Sequence, residues 1–166
     1  MQPQTGRINN FQDLLSLLAR DQVLHQTTSD PNAVAIPTRR GTMEGVLLLR
    51  WQAAQGVVQL VQSLPLEVPI ERVAAVQDAI LRLNHALAMP GFGINPALRT
   101  PYYRVVLPLH ASMPVTDMML RALFSAAVRN AADFLPSLQR VALENASPEG
   151  VVADAQVDMA LRADEG

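Results

Sequence analysis

The residue types that most often catalyse reactions or bind metals are few in this sequence. Three histidines are present, at His25, His85 and His110. None of them has a second histidine at the helical spacing of the H-E-x-x-H zinc motif, so ordinary surface histidines are the simpler interpretation. Glu67 and Glu71 have helical spacing, but Glu67 precedes Pro69 and is expected outside the helix. With no cysteine in the chain, a thiolate metal site and a cysteine nucleophile are excluded.

Nucleotide binding and nucleophilic catalysis also lack their usual motifs. Gly91-Phe92-Gly93 begins like a phosphate-binding loop, but it follows a predicted helix and leads into a predicted strand. Dinucleotide-binding loops have the opposite order, because the helix that they open supplies N–H groups to the phosphate. No G-x-S-x-G sequence and no P-loop sequence occurs. We therefore expect no catalytic, cofactor or metal site, and no enzymatic activity.

Arginine and aromatic residues on the predicted strands form a candidate ligand patch. Its members are Arg50, Trp51, Tyr102 and Arg104. Such a patch at a sheet edge would suit an acidic ligand or a single-stranded nucleic acid, because guanidinium groups bind anions and aromatic rings stack on bases. Ordinary solvated charge is the competing interpretation. Only 4% of the residues are aromatic, so rings for base stacking are scarce.

A long helix predicted at residues 116–135 carries the widest apolar face in the sequence. Its apolar side chains cover an arc of roughly 200°, whereas about 100° suffices to seat a helix on one surface. We therefore expect this helix to contact a second chain as well as its own sheet. The predicted interface residues are Met119, Leu120, Leu123, Phe124, Ala127 and Val128. Met113 and Met118 lie nearby and fit either core packing or an adaptable binding surface.

Hydrophobic periodicity and turn residues predict the elements that position these groups. Helices are predicted at 11–20, from Pro69 to about residue 88, and at 116–135, where Pro136 either kinks the chain or starts a short helix reaching Glu144. Strands are predicted at 33–38, 43–52, 57–64, 92–95 and 102–109. The order α-β-β-β-α-β-β-α predicts an α+β fold with a five-stranded, mainly antiparallel, twisted sheet flanked by helices.

The predicted strands differ in their patterns of apolar residues. In the strand at 57–64, Val58, Leu60 and Gln62 share one face and the residues between them share the other. This alternation indicates a sheet with only one side fully buried. The run Val46-Leu47-Leu48-Leu49 does not alternate. We therefore expect this central strand to be covered on both faces.

The composition favours a protein partner over nucleic acid. Apolar residues make up 49% of the chain and charged residues 17%, against about a quarter charged in an average soluble domain. The formal net charge of −2 argues against non-specific phosphate binding, which requires an excess of cations. Some apolar surface is therefore expected to be buried against another chain.

No targeting or membrane-spanning segment is predicted. The polar N-terminus lacks the order of a signal peptide, and no apolar stretch approaches the ~20 residues that span a bilayer. A cytoplasmic location is expected. We predict a flexible N-terminus at residues 1–10, a single domain at residues 11–144 and an acidic, partly mobile tail at residues 145–166.

Three segments together resemble the YbjN family of bacterial proteins. They are L-N-H-A-L at 83–87, G-F-G-I-N at 91–95 and Y-R-V-V-L-P at 103–108, followed by the long helix. The resemblance covers about residues 11–143. It implies a fold like that of type III secretion chaperones, which commonly form dimers and bind extended client segments along apolar grooves. It also implies a role in regulation and no enzymatic activity.

Our leading hypothesis is a homodimeric, non-enzymatic binding module whose partner is another protein, as a client or a regulatory target. No cofactor and no membrane contact is expected, and direct binding of nucleic acid is not favoured. The alternative is a regulatory sensor that binds single-stranded nucleic acid or an acidic ligand at the arginine-lined sheet edge.

Overall fold

An antiparallel sheet and the helices packed on one of its faces make up the fold. The structure, a computed structural model, describes residues 6–156. The helices in this range are α1 (Phe11–Arg20), α2 (Val73–Ala86) and α3 (Asp117–Leu143). The strands are β1 (Arg7–Ile8), β2 (Gln26–Thr27), β3 (Ala33–Arg40), β4 (Met43–Gln52), β5 (Val57–Ser63), β6 (Phe92–Asn95), β7 (Thr100–Pro108) and β8 (Val115–Thr116). Short 3₁₀ helices occupy Ala53–Gln55, Ile70–Arg72 and Pro148–Gly150, and residues 151–156 are helical.

The main sheet has six strands, in the order β2-β3-β4-β5-β7-β6, with every neighbouring pair antiparallel. The prediction of five strands is therefore wrong. The missing strand, β2, contains only two exposed polar residues, so it has no apolar periodicity to detect. A separate two-stranded sheet joins β1 to β8.

Two tight turns set the register of the central strands. The β3–β4 hairpin turns at Gly41, with φ of 58°, and the β4–β5 connection ends at Gly56, with φ of 66°. Glycine adopts this left-handed conformation without steric cost. The predicted bounds of α1, β4 and β6 are confirmed.

The central strand β4 is covered on one face only, and the prediction that both faces are covered is wrong. Leu47 and Leu49 are buried, whereas Val46 is 45% exposed and Leu48 is half-buried. A continuous apolar run fits a strand buried on both faces, but it fits equally well a strand whose second apolar face is left open.

Helix α3 is longer than predicted and passes through Pro136. Thr116 is its N-cap and accepts a hydrogen bond of 3.2 Å from the amide of Met119. Pro136 lacks an N–H group and costs stability inside a helix. Neighbouring Leu135 and Leu138 are buried in the core, so tertiary packing offsets that cost.

The C-terminal end of α3 leads into a segment that joins the core. Arg72 donates hydrogen bonds to the carbonyl of Val141 at 2.9 and 2.6 Å, and to that of Ala146 at 3.2 Å. Val151 and Ala155 are then fully buried. The first part of the predicted tail therefore packs on the domain. Residues 1–5 and 157–166, which hold the rest of the predicted flexible ends, lie outside the described residues.

Candidate functional site

One face of the main sheet is covered by helices and the other is not. The side chains of the uncovered face come from the alternate positions of four strands. We call this side the open sheet face, and its members include Ala35, Pro37, Val46, Leu48, Arg50, Gln59, Val61, Tyr102, Arg104 and Val106. All of them are exposed or half-buried, and Val46 and Val106 are 45% and 44% exposed. On the covered face, by contrast, Leu47, Val58 and Leu60 are fully buried.

The strand register makes the apolar part of this face continuous. Leu48 lies opposite Ala35 on one side and Val61 on the other, and Val61 lies opposite Arg104. Side chains that face one another across an antiparallel pair are about 5 Å apart. Val46 lies two positions from Leu48 on the same strand and therefore on the same face. The centre of the face is thus a valine and leucine surface.

Two arginines, Arg50 and Arg104, flank this apolar centre. Arg50 and Arg104 make no ion pair with any residue from 6 to 156. The Nε of Arg50 is enclosed and has no hydrogen-bond partner in that range. Glu44 lies at the hairpin end of the same face, where it pairs with Arg39 at 3.5 Å. The uncompensated charge of the face is therefore positive.

Trp51 is separated from the other three members of the predicted ligand patch. Trp51 is 6% exposed and lies in the core, because successive residues of a strand point to opposite faces. Arg50, Tyr102 and Arg104 share the open sheet face. The Tyr102 ring covers Gly93 so closely that a Cβ there would lie 2.5 Å from the ring. Gly93 thus permits this packing.

The predicted interface on α3 is divided between core and surface. Leu120, Ala127 and Val128 are buried by the chain itself, whereas Met119, Leu123 and Phe124 are half-buried. The width of the apolar arc therefore does not by itself require a second chain. Periodicity measures that width, but it does not reveal how much of the arc the chain's own elements cover.

A cavity of about 250 Å³ lies between α1 and the first half of α3. Its lining is mainly apolar and includes Leu18, Leu49, Leu120 and Phe124. The ion pair between Arg121 and Asp21, at 2.6 Å, lies at its edge. This cavity was not predicted, because residues from α1, β4 and α3 all line it.

The ion pairs beside this cavity connect α1 to α3. The hydrogen bond from Arg121 lowers the pKa of Asp21. Burial tends to raise the pKa of Asp117, but hydrogen bonds from the backbone amides of Gly6 and Met118 and the charge of Arg121 hold that pKa below its usual value. These contacts, together with the bond of 2.9 Å from Arg20 to Asp117, give both carboxylates a structural role in joining α1 to α3.

A second, wider cleft separates the β3–β4 hairpin from the middle of α3. Its volume is about 1070 Å³, and its polar lining includes Arg40, Glu44, Asp133 and Gln139. Charges of both signs line it, so its electrostatics select no class of ligand. It was not predicted, because its residues come from distant parts of the sequence.

The remaining candidate groups for chemistry are dispersed. His25 contacts the carbonyl of Val23 at 2.9 Å, and His110 contacts the hydroxyl of Ser112 at 2.7 Å. Glu67 pairs with Arg99. Among residues 6–156, no three histidine or acidic side chains are placed to hold a metal ion. None of the described helices has both the length and the hydrophobicity needed to cross a bilayer.

A comparison with protein families gives a match over most of the chain. The YbjN family model, described as "Putative bacterial sensory transduction regulator", matches residues 10–140. All three segments that carried the sequence resemblance lie inside this range. No protein with a curated description matches the sequence.

Proposed function

The chain belongs to the YbjN family, and from that premise we propose that it is a non-enzymatic protein-binding module of regulatory or chaperone type. The partner protein binds the open sheet face. The observation that carries this proposal is the exposure of a continuous apolar surface at the centre of a six-stranded sheet.

The composition of the open sheet face supports a binding role. When one side of an antiparallel sheet faces water, its side chains are usually polar. Here Val46 and Val106 are nearly half exposed, and Leu48 and Val61 lie between them. Single exposed apolar residues are normal, but a contiguous apolar surface is typical of an interaction site.

The test is affinity capture from the native cells with three forms of the full chain, followed by quantitative mass spectrometry. Val46→Glu places a carboxylate at the centre of the face, and Leu81→Glu is the matched control on the outward surface of α2, where Leu81 is 68% exposed. We expect the wild type and Leu81→Glu to recover the same partner in similar amounts. With Val46→Glu its recovery should fall at least tenfold, which corresponds to about 1.4 kcal/mol of binding free energy. Equal recovery with all three forms would remove the open sheet face from the proposal.

We infer further that two copies of the chain associate through the first half of α3. Support comes from Met113 and Met118, which are 64% and 62% exposed beside the half-buried Met119 and Leu123. Methionine side chains adapt to irregular partners. In light scattering at micromolar concentration, we expect a dimer for the wild type and a monomer for Leu123→Glu. A wild-type monomer would contradict this part of the proposal.

The nucleic-acid alternative loses support from the placement of Trp51. Of the two aromatic residues in the predicted patch, only Tyr102 lies on the open sheet face. Proteins that bind single strands without sequence preference stack successive bases on several rings. The acidic-ligand form of the alternative keeps its support, because Arg50 and Arg104 share that face.

A further inference from the structure

We propose that the part of the partner that binds the open sheet face is an amphipathic helix carrying carboxylates that pair with Arg50 and Arg104. This inference rests on the proposed function, because it names the chemistry of the partner at the same surface. It adds the type of secondary structure, the sign of the charge and the spacing of the charged groups.

The two arginines give the sign of the charge. Neither of them pairs with an acidic residue in the range 6–156, and the enclosed Nε of Arg50 has no acceptor there. The acidic residue on the same face, Glu44, already pairs with Arg39. A guanidinium group binds a carboxylate with two parallel hydrogen bonds in favourable geometry. A partner that supplies carboxylates therefore complements the face.

The strand register gives the spacing. Arg50 lies opposite Gln59, and Arg104 lies opposite Val61, so the arginines flank β5 from the two adjacent strands and are offset by two residues along it. With strands about 4.8 Å apart and a rise of about 3.3 Å per residue, their Cα atoms are roughly 12 Å apart. Residues seven or eight positions apart on one side of an α-helix are separated by about 10.5 to 12 Å. Two acidic residues at that spacing match the two arginines.

Backbone hydrogen bonding favours a helix over an extended segment. β4 and β5 have a bonded strand on both sides, and β7 bonds to β5 at residues 102–108 and to β6 at residues 100–103. An extended segment lying on this face would find no backbone partners there, whereas a helix satisfies its own backbone internally. Its apolar residues between the two acidic positions would then contact Leu48 and Val61.

Charge disfavours a second copy of the chain on this face. In a two-fold dimer the same surface meets itself, so two faces that each carry Arg50 and Arg104 would be brought together. Like charges across an interface oppose association. The interface proposed on α3 is separate from this face and is unaffected by this argument.

The test uses two labelled helical peptides that differ only in charge. Both carry leucines along one side, and the first has glutamates at positions i and i+7 where the second has glutamines. Fluorescence anisotropy with the full chain measures both affinities. We expect the glutamate peptide to bind at least tenfold more tightly, and we expect Arg104→Gln or Arg50→Gln to remove most of that difference. Arg82→Gln, on α2, is the control and should leave it unchanged.

The possible outcomes separate this inference from the proposed function. If both peptides bind equally and Val61→Glu weakens both, the face binds apolar helices without selecting carboxylates, and only the inference fails. If neither peptide binds, or if Val61→Glu has no effect, the inference fails and the proposed function depends on the capture experiment. Binding of labelled oligothymidine that Arg104→Gln abolishes would overturn the inference in favour of nucleic acid. Arg104 is exposed, so its variant should fold normally.

Discussion

Both faces of the main sheet carry apolar side chains, but their surroundings differ. On the covered face, Leu47, Leu60 and Tyr103 are fully buried beneath the helices. On the open sheet face, Val46 and Val106 remain nearly half exposed. Burial explains the apolar residues of the first face through the stability of the fold. It does not explain those of the second, for which we propose a partner protein.

The largest expected difference between the faces is in core stability. Leu60 is fully buried on the covered face, and Val61 follows it on the open face. Leu60→Ala should lower the free energy of unfolding by about 2 to 5 kcal/mol, because it removes buried methyl groups and leaves a cavity. Val61→Ala should cost less than about 1.5 kcal/mol. Urea denaturation measures both values, and equal costs would contradict the distinction between the faces.

The adjacent tyrosines give a smaller effect of the same kind. The Tyr103 hydroxyl donates to the carbonyl of Met89 at 2.6 Å and accepts from Asn130 at 2.8 Å. Tyr103→Phe leaves both groups unpaired and should cost about 1 to 3 kcal/mol. Tyr102 has no side-chain hydrogen bond with the described residues, so Tyr102→Phe should be close to neutral. Thermal melts of both variants measure the two effects. A similar loss for both variants would place Tyr102 in a structural role.

Acid should weaken the covered side through the contacts between α1 and α3. The pKa values of Asp21 and Asp117 are lowered in the folded chain. Their stabilising effect is therefore fully present above the unfolded pKa of about 4 and is lost as the pH falls through the folded values. Asp117→Asn should flatten the decline of the urea midpoint below about pH 4. An unchanged decline in that variant would show that other groups cause it.

The smallest expected effect is on the open sheet face itself. Val46→Thr and Val106→Thr keep the branched shape suited to a strand and add a hydroxyl that water can reach. Each should change the free energy of unfolding by about 0.5 kcal/mol or less, while both should weaken partner capture. A large loss of stability would mean that the chain itself needs these valines.

The order and bounds of most elements were predictable because local signals determine them. Asn10 and Thr116 cap their helices as their side-chain types indicate, and Gly41 and Gly56 mark the turns. The strand β2 was not predictable, since two polar residues acquire strand structure only by pairing with β3.

Local patterns determined the candidate site less well. Grouping Trp51 with Arg50 overlooked strand alternation, a signal that was present in the sequence. The uncovered face of β4 could not be predicted, because an apolar run does not reveal whether its cover comes from the same chain. For the same reason, the apolar pattern of α3 did not reveal that the chain itself buries part of the predicted interface.

The most direct test of the open sheet face compares the reactivity of a single thiol in the purified chain and in native extract. The chain has no cysteine, so Val46→Cys and the control Leu81→Cys each introduce one site for maleimide labelling. We predict that Val46→Cys reacts with maleimide readily in the purified chain and at least tenfold more slowly in extract, while Leu81→Cys reacts equally in both. Equal labelling of Val46→Cys in the two conditions, or protection of Leu81→Cys instead, would contradict it.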